Sequence, residues 1–210
     1  MFVGTKVTVG SFVPEDYPAM YCWANDVAAF RHDGAFRPVN LTDVVHQCEA
    51  AGKDPSRVML AIRRRSDPHI IGYLVIQNIS AVHRSADIGV RIGEEKYRGQ
   101  GYGTDAIKIA LDYCWRHLNL ERVGLVVFGN NARAISAYKA VGFKKEGLLK
   151  RLLFIDGARV DVLVMAAFRP SRKRSARVGA VSSGSKTPAV VQGENPTRQA
   201  TSTTCHERIS

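Results

Sequence analysis

The sequence predicts a single domain of the α/β (α+β) class, in which helices flank a mixed, mostly antiparallel central sheet. Three observations support this prediction. Apolar, β-branched runs alternate with amphipathic segments as far as residue 168. Short groups of turn-forming residues separate neighbouring runs, as they do in antiparallel hairpins. A hydrophobic content of 45% with 8% aromatic residues supplies a core for a chain of 210 residues.

The first elements are a strand and two helices. Residues 6–12 have the alternation of a strand. Pro14, followed by two acidic residues, begins a helix that runs to about residue 25, because proline and early acids suit a first helical turn. Thr42 is the predicted N-cap of a short second helix, and Gly52 is predicted to end it.

A hairpin and a glycine-rich loop follow. Residues 57–64 and 69–79 are β-branched runs separated by a Ser-Asp-Pro turn, which predicts two antiparallel strands. Residues 86–92 add a third. A glycine-rich loop over residues 98–103 leads into a helix that reaches about residue 118. The apolar positions of that helix recur at helical spacing: Ala106, Ile109, Ala110, Tyr113 and His117.

The remaining elements are a strand, a helix and a hairpin. Residues 122–128 form the predicted strand, and residues 131–141 form a helix that stops at Gly142. The last two strands flank Asp156-Gly157, a strong hairpin signal. No internal repeat is visible.

The chain changes character after Phe168. Residues 169–210 contain no aromatic residue, are rich in Ser and Thr, and carry eight Lys or Arg residues against two Glu residues. Such a segment buries too little apolar surface to offset the entropy of ordering it. We therefore predict a domain over residues 1–168 and a basic, disordered tail over residues 169–210.

Composition excludes several classes of protein. No apolar run approaches the roughly 18 residues that a membrane-spanning helix needs, and the first residues lack the pattern of a secretion signal. We expect a soluble, cytoplasmic protein without a membrane partner. Four scattered cysteines, without a Cys-x-x-Cys pair, predict neither a disulfide framework nor a metal site. The formal charge of +11 favours an anionic ligand or partner.

The glycine-rich loop is the first candidate site. Gly99-Gln100-Gly101-Tyr102-Gly103-Thr104 lies between a strand and a helix, where backbone N–H groups and the helix dipole favour a phosphate. Arg98, and more weakly Lys96, would add side-chain charge. A P-loop is excluded because no Gly-Lys-Ser/Thr triplet follows. The dinucleotide fingerprint fits formally, but no acid follows the next strand. A loop that needs glycine only to turn is a further alternative.

A second motif follows the loop at a defined distance. It consists of Asn131, Ala134, Tyr138, Gly142 and Phe143. With Arg98, Gly101 and Gly103, it resembles the GNAT family of acetyl-CoA-dependent N-acetyltransferases, whose pattern is Arg/Gln-x-x-Gly-x-Gly/Ala followed by Asn-x-x-Ala-x-x-x-Tyr-x-x-x-Gly-Phe. The stretches over residues 82–87 and 147–159 look similar to the ribosomal-protein N-terminal (RimJ/RimL-like) and spermidine branches. The resemblance covers the predicted domain and leaves the tail uninterpreted.

The resemblance implies a binding site for acetyl-CoA as co-substrate. The pyrophosphate would lie on the loop, and the pantetheine arm would lie along the preceding strand, where a backbone N–H could polarise the thioester carbonyl. Ala134 would leave room for the arm. The implied cofactor-binding residues are Val90, Arg91, Ile92, Arg98, Gly99, Gln100, Gly101, Tyr102, Gly103, Thr104, Asn131 and Ala134.

Tyr138 is the predicted general acid. It lies two helical turns after Asn131 on the same face. A phenol with an ordinary pKa of about 10 can protonate the thiolate that leaves when an amine attacks a thioester. The alternative is an aromatic residue that only anchors the helix.

The best candidate for the general base is Asp87, which strand alternation places on the face of Gly89 and Arg91. Glu94, Glu95 and His83 are weaker candidates, and Asp87 could instead have a structural or substrate-orienting role. A proton acceptor matters most for a lysine or polyamine, because an α-amino group loses its proton near pH 8.

Charge gives one indication about the acceptor. Residues 14–52 carry six acidic residues against two arginines, so they could attract a cationic amine, although solvated helix faces explain the same pattern. We interpret Trp23 and Phe30 in this stretch as core residues. The acids are Glu15, Asp16, Asp26, Asp33, Asp43 and Glu49, and the arginines are Arg31 and Arg37.

Two functions therefore compete. The first is an N-acetyltransferase that moves an acetyl group from acetyl-CoA to a primary amine in a ternary complex, the acceptor being a protein N-terminus or a small polyamine or amino compound. The second is an acyl-CoA-binding module that its basic tail directs to a nucleic acid, a ribosome or another polyanion. The sequence leaves the oligomeric state open, with a homodimer as one arrangement.

Overall fold

The structure is a computed structural model that describes residues 1–27 and 37–171. Within these residues, two short 3-10 helices run over Pro14–Asp16 and Glu95–Tyr97. In chain order, the strands are β1 (Phe2–Val3), β2 (Val7–Gly10), β3 (Val58–Arg64), β4 (Ile70–Ser80), β5 (Ser85–Ile92), β6 (Arg122–Phe128), β7 (Lys144–Ile155) and β8 (Ala158–Phe168). The α-helices are α1 (Tyr17–Ala24), α2 (Leu41–Lys53), α3 (Tyr102–Arg116) and α4 (Ala132–Ala140).

All eight of these strands form one sheet in the order β1-β2-β3-β4-β5-β6-β8-β7. Each neighbouring pair within the described sheet is antiparallel except β5 and β6, which run parallel. The crossover between these two strands contains α3, since parallel neighbours need a long connection. The predicted fold class, a mixed and mostly antiparallel sheet flanked by helices, is confirmed.

Several predicted boundaries are wrong by a few residues. α2 begins at Leu41, so Thr42 lies inside its first turn and is not the N-cap. The N-terminal end is fixed instead by the Asp43 carboxylate, which accepts the backbone N–H of Asn40 at 3.0 Å. The helix also continues past Gly52 to Lys53, because a helical glycine costs only about 1 kcal/mol. β1 was not predicted, because a strand of two residues is too short to show an alternating pattern.

Apolar residues on the two faces of the sheet form two separate clusters. On one face, α3 and α4 pack against residues of the central strands such as Leu74, Ile88 and Leu125. On the other face, α1 and α2 pack against β3 and β4. Burial raises the pKa of the Cys114 thiol on α3 to about 12, so this cysteine is a protonated core residue.

A buried ion pair fixes the start of α1 against β3. The Arg63 guanidinium donates to the Asp16 carboxylate, and both side chains are less than a tenth exposed. Asp16 also accepts the backbone N–H of Val13 at 2.9 Å. Removing either side chain would destabilise the fold strongly, because the remaining buried charge would have no counterion.

The sheet ends at Phe168, and the backbone N–H of Arg169 still donates to the carbonyl of Glu121 at 3.0 Å. Most of the predicted tail lies outside the described residues. In the part of the chain that the structure describes, no helix is both long and apolar enough to cross a membrane.

Candidate active site

The parallel strands β5 and β6 are joined at only one end. Three residue pairs connect them, from Ser85 with Arg122 to Asp87 with Gly124. Beyond these pairs, no register joins the two strands among the residues that the structure describes. Their unpaired ends therefore leave an opening through the sheet, between the face covered by α3 and α4 and the face covered by α1.

A cavity of about 420 Å³ lies at this opening. It brings the end of β5 and the loop before α3 together with one face of α4, which follows later in the chain. Its lining residues are Val90, Arg91, Ile92, Tyr97, Arg98, Gly99, Gly101, Gly103, Thr104, Ile107, Asn131, Arg133, Ala134, Ser136, Ala137 and Tyr138. Most of the residues that the sequence analysis selected for cofactor binding line this one cavity.

The glycine loop has the backbone conformation that its sequence indicates. Gly99 and Gly101 have φ angles of 77° and 84°, in the left-handed region that other residues rarely adopt. Gly101 precedes the first residue of α3, a helix of 15 residues. A Cβ atom on Gly99 would meet no atom within 4 Å, so the backbone there is open to a ligand. Exposed amides at the N-terminus of a long helix suit the diphosphate of a nucleotide cofactor.

The charged groups of Arg98 and Lys96 are both bound to neighbouring groups of the protein. The Arg98 guanidinium donates to the carbonyls of Ile92 (3.1 Å) and Gly93 (2.7 Å), and it therefore fastens the loop to the end of β5. The Lys96 ammonium forms an ion pair with Glu94 at 2.6 Å. The predicted role of Lys96 beside the phosphate receives no support from this geometry.

Two predicted loop residues, Gln100 and Tyr102, are not among the residues that line the cavity. The side chain of Gln100 donates to the carbonyl of Lys96. The ring of Tyr102 packs edge-on against Tyr97, with centroids 6.2 Å apart. Both side chains therefore stabilise the loop and leave only its backbone for a ligand.

Lys6, which no sequence pattern indicates, supplies a further cation at the loop. Its ammonium donates to the carbonyl of Gln100 at 2.7 Å. It also lies 3.2 Å from the position that a Cβ atom on Gly101 would occupy. Lys6 precedes β2 and is 94 residues away in sequence, so no local motif connects it to the loop.

Asp105 anchors the first turn of α3 to the same N-terminal segment. Its buried carboxylate accepts hydrogen bonds from the hydroxyl of Thr5 (2.8 Å) and the backbone N–H groups of Lys6 (2.8 Å) and Val7 (3.1 Å). Burial raises the pKa of this carboxyl, but the hydrogen bonds outweigh burial and hold the pKa below its ordinary value. The charged form is therefore the one that the fold stabilises.

α4 presents the second motif to the cavity. The side chain of Asn131 caps the helix by accepting the backbone N–H of Ala134 at 3.0 Å. Tyr138 is 8% exposed, and its ring packs edge-on against Phe143 with centroids 5.6 Å apart. Asn131, Ala134 and Tyr138 all line the cavity, which agrees with their predicted position on one helix face.

Asp87 is not among the lining residues. Its carboxylate accepts the side-chain amide of Asn78 at 2.9 Å and lies 2.7 Å from the position of a Cβ atom on Gly124. The Arg122 guanidinium comes within 3.0 Å of that same position. Asp87 is thus on the expected face of β5, but at the paired end of the strands. The weaker candidates Glu94, Glu95 and His83 do not line the cavity either.

Arg91 connects the cavity to α1. Its guanidinium donates to the carbonyl of Trp23 at 2.6 Å, near the C-terminal end of that helix. The Trp23 ring covers Gly93, where any Cβ atom would come within 2.0 Å of the ring. Trp23 is buried, so its predicted core role is confirmed. Phe30, Arg31 and Asp33 lie outside the described residues.

The sequence profile of the GNAT acetyltransferase domain matches residues 6–144. The chain belongs to the GNAT family. This confirms the predicted resemblance and the prediction of an acetyl-CoA-dependent N-acetyltransferase. The matched residues contain β2 to β6, α1 to α4 and therefore the whole cavity.

Relatives of this GNAT chain include enzymes of bacteria. The uncharacterized N-acetyltransferase YoaA of Bacillus subtilis (strain 168) is 26% identical over 169 residues, which cover 79% of this chain and 94% of YoaA. The spermidine N(1)-acetyltransferase of Escherichia coli (strain K12) is 37% identical over 98 residues, which cover 47% of this chain and 52% of that enzyme. The second match thus spans about half of the relative.

A solved structure shares the fold. The spermidine N-acetyltransferase from Vibrio cholerae, crystallised in complex with CoA and spermine, matches with a TM-score of 0.71 and 24% identity. The match covers 77% of this chain and 95% of that one. This likeness shows that the two chains share the fold.

Proposed function

We propose that the protein transfers the acetyl group of acetyl-CoA to a primary amine by direct attack within a ternary complex. The observation that supports this most strongly is the continuous lining of one cavity by the glycine loop, the unpaired end of β5 and Tyr138. A phosphate site, an extended backbone edge and a phenol are the groups that acyl transfer from a coenzyme A thioester requires.

The chain's own residues would hold acetyl-CoA in three places. The amides between Arg98 and Thr104 would bind the pyrophosphate, since the loop backbone is open at Gly99. Val90, Arg91 and Ile92 lie beyond the residues of β5 that pair with β6, and the edge of β5 there would bind the pantetheine arm as a sheet edge binds an added strand. The small side chain of Ala134 borders the same space. When bound, acetyl-CoA supplies an activated acyl group.

Tyr138 would donate the proton that the departing sulfur needs. The residue is largely buried and lines the cavity, and Phe143 holds its ring from one side. A buried phenol held by packing has little conformational freedom to lose before it acts as an acid. The alternative role, in which Tyr138 only anchors α4, predicts no effect of its hydroxyl on the chemical step.

The acceptor would reach the acyl group from the face that carries α1. The opening between β5 and β6 connects that face to the cavity, and Arg91 borders both. Relatives named for spermidine indicate a polyamine, and the family resemblance also includes protein N-termini. Either acceptor is a primary amine.

An acetyl-CoA assay with a panel of amines tests this proposal. Release of free thiol should depend on the amine, and mass spectrometry should find one added acetyl group on it. Varying both substrates should give intersecting initial-rate lines, because both must be bound before reaction. An acetylated form of the enzyme that accumulates without amine, or thiol release that no amine accelerates, would overturn direct transfer.

We further propose that residues 1–168 form the catalytic domain and that residues 169–210 are a separate basic tail. A truncation after Ser171 retains both β8 and the hydrogen bond from Arg169 to Glu121. This is therefore the boundary to test. The truncated protein should keep its acetyltransferase activity. Loss of acetyl-CoA binding on truncation would contradict this division. If the tail directs the protein to a polyanion, truncation should abolish salt-sensitive binding to RNA.

A further inference from the structure

From the contacts of Lys6, we infer that this residue is a positioning residue for acetyl-CoA. Its ammonium group holds the peptide unit between Gln100 and Gly101 in the orientation that turns the Gly101 N–H toward a phosphate of the cofactor. The inference rests on the proposed function, because it concerns how the glycine loop would bind acetyl-CoA.

The backbone of Lys6 is held on both sides. Its N–H donates to the buried Asp105 carboxylate at 2.8 Å, and its carbonyl accepts the N–H of Arg65 at 3.1 Å. The next residue, Val7, donates its own N–H to Asp105 at 3.1 Å. The ammonium group is therefore carried by a segment that is anchored to α3, and it donates to the carbonyl of Gln100 at 2.7 Å.

Lys6 acts on the loop from outside the cavity. Gly101 is among the lining residues and Lys6 is not, although its ammonium lies 3.2 Å from the position of a Cβ atom on Gly101. In a planar trans peptide, the C=O and N–H groups point in opposite directions. The bond to Lys6 thus keeps the Gln100 carbonyl on the Lys6 side and the Gly101 N–H on the other side. Among the residues that the structure describes, none accepts a hydrogen bond from this N–H.

The same peptide unit has a second accessible orientation, because glycine follows it. Reversing the peptide changes mainly ψ of Gln100 and φ of Gly101, and glycine adopts positive and negative φ angles about equally readily. Gly101 has a φ of 84° in the structure. In the reversed orientation, the carbonyl oxygen would face a bound phosphate and repel it. A charge-assisted hydrogen bond from Lys6 to that oxygen therefore selects the orientation that binds an anion.

The populations of the two orientations set the size of the effect. If the loss of the Lys6 ammonium leaves about one molecule in ten in the binding orientation, the apparent dissociation constant for CoA rises about tenfold. Once acetyl-CoA is bound, it keeps the peptide in the binding orientation, and the chemical step proceeds as before. Loss of the ammonium should therefore raise the KM for acetyl-CoA and leave kcat unchanged.

The test compares Lys6→Met with the conservative variant Lys6→Arg in the full-length protein. Calorimetric titration with CoA should give a dissociation constant about tenfold above the wild-type value for Lys6→Met. Lys6→Arg retains a charged donor and should stay within about threefold of the wild type. Lys108→Met is the matched control, because it removes the same charge from an exposed position on α3 and should leave the dissociation constant unchanged.

S-acetylpantetheine provides a measurement that a merely structural role of Lys6 would not distinguish from acetyl-CoA. This thioester has the reacting group and the pantetheine arm but no pyrophosphate. With an amine that the wild type acetylates, Lys6→Met should lower kcat/KM for acetyl-CoA about tenfold and leave kcat/KM for S-acetylpantetheine within about twofold. An equal loss with both thioesters would mean that the substitution damages the domain as a whole, and it would overturn the inference.

Failure of this inference is distinguishable from failure of the proposed function. If Lys6→Met binds CoA as tightly as the wild type, or if Lys6→Arg binds it as weakly as Lys6→Met, Lys6 does not position the loop, and acetyl transfer remains intact. If the wild-type protein does not bind CoA at all, the proposed function itself is overturned.

Discussion

The backbone N–H of Lys6 donates a 2.8 Å hydrogen bond to the carboxylate of Asp105, a residue 99 positions later in the chain. With the bond from the Lys6 ammonium to the Gln100 carbonyl, it ties the segment before β2 to both the glycine loop and the first turn of α3. The proposed phosphate site is therefore built from two distant parts of the sequence, and its geometry depends on their contact.

Replacing Asp105 by Asn should lower the free energy of unfolding by about 2 kcal/mol, because charge-assisted hydrogen bonds contribute about 1.5–3 kcal/mol each and the amide retains some of them. Chemical denaturation at pH 7 measures the change. Asp112→Asn is the matched control, since Asp112 lies on the same helix in an exposed pair with Arg116 and should change stability by less than about 0.5 kcal/mol.

The same carboxylate should make stability depend on pH in the acid range. Because the hydrogen bonds hold the Asp105 pKa below its ordinary value of 3.8, the unfolded chain takes up a proton first as the pH falls. The stabilisation is complete well above pH 3.8 and decreases as the pH falls through and below it. Asp105→Asn should lose less stability than the wild type between pH 5 and pH 3. Parallel curves for the two proteins would contradict this explanation.

Tyr138→Phe should reduce kcat by about 100-fold, in the range that general acids contribute, and change the KM for acetyl-CoA by less than about threefold. The packing of the ring on Phe143 is preserved, so the melting temperature should stay within a few degrees. Tyr113→Phe provides the control, because Tyr113 packs edge-on against Phe2, stacks on His117 and is not among the cavity-lining residues. Unchanged kcat in Tyr138→Phe would assign this phenol an anchoring role.

Gly101→Ala should raise the KM for acetyl-CoA at least about tenfold. The residue has φ of 84°, and the new methyl group would come within 3.2 Å of the Lys6 ammonium. Gly157→Ala introduces similar backbone strain, at φ of 78°, in the turn between β7 and β8, without a neighbouring atom within 4 Å. Steady-state kinetics should therefore show a larger increase in the KM for acetyl-CoA in Gly101→Ala than in Gly157→Ala. If both variants raise this KM equally, strain alone explains the effect.

Asp16→Asn should destabilise the fold by about 3–5 kcal/mol, because it leaves the buried Arg63 guanidinium without its counterion. Replacing the pair by Leu and Met together should recover much of that loss, since apolar side chains of similar volume avoid the cost of burying charge. Denaturation by guanidinium chloride measures the free energy of unfolding of the single and double variants. A double variant as unstable as the single one would contradict the explanation.

The local patterns in the sequence were sufficient to predict most of the fold. Glycines before an amphipathic helix predicted the loop, and the spacing from Asn131 to Tyr138 placed both residues on one side of α4. These predictions succeeded because backbone conformation and helical periodicity are set by neighbouring residues.

The parts that sequence patterns did not predict depend on contacts between distant residues. Lys6 has no motif around it, and its role follows only from the packing of β2 against α3. Asp105 shows one usable signal, an acid in the first turn of a helix, which by itself indicates only a dipole effect. Arg98 lines the cavity as expected, but its hydrogen bonds to the carbonyls of Ile92 and Gly93 follow no local pattern in the sequence.

The most direct test of the cofactor site is an NMR titration of isotope-labelled protein with CoA. We expect the amide signals of Gly99, Gly101 and Gly103 to shift in a saturable manner with a single dissociation constant, while the signal of Gly157, in the turn between β7 and β8, stays in place. Binding that leaves the three loop signals unchanged, or no binding at all, would contradict the central claim that this loop holds the cofactor.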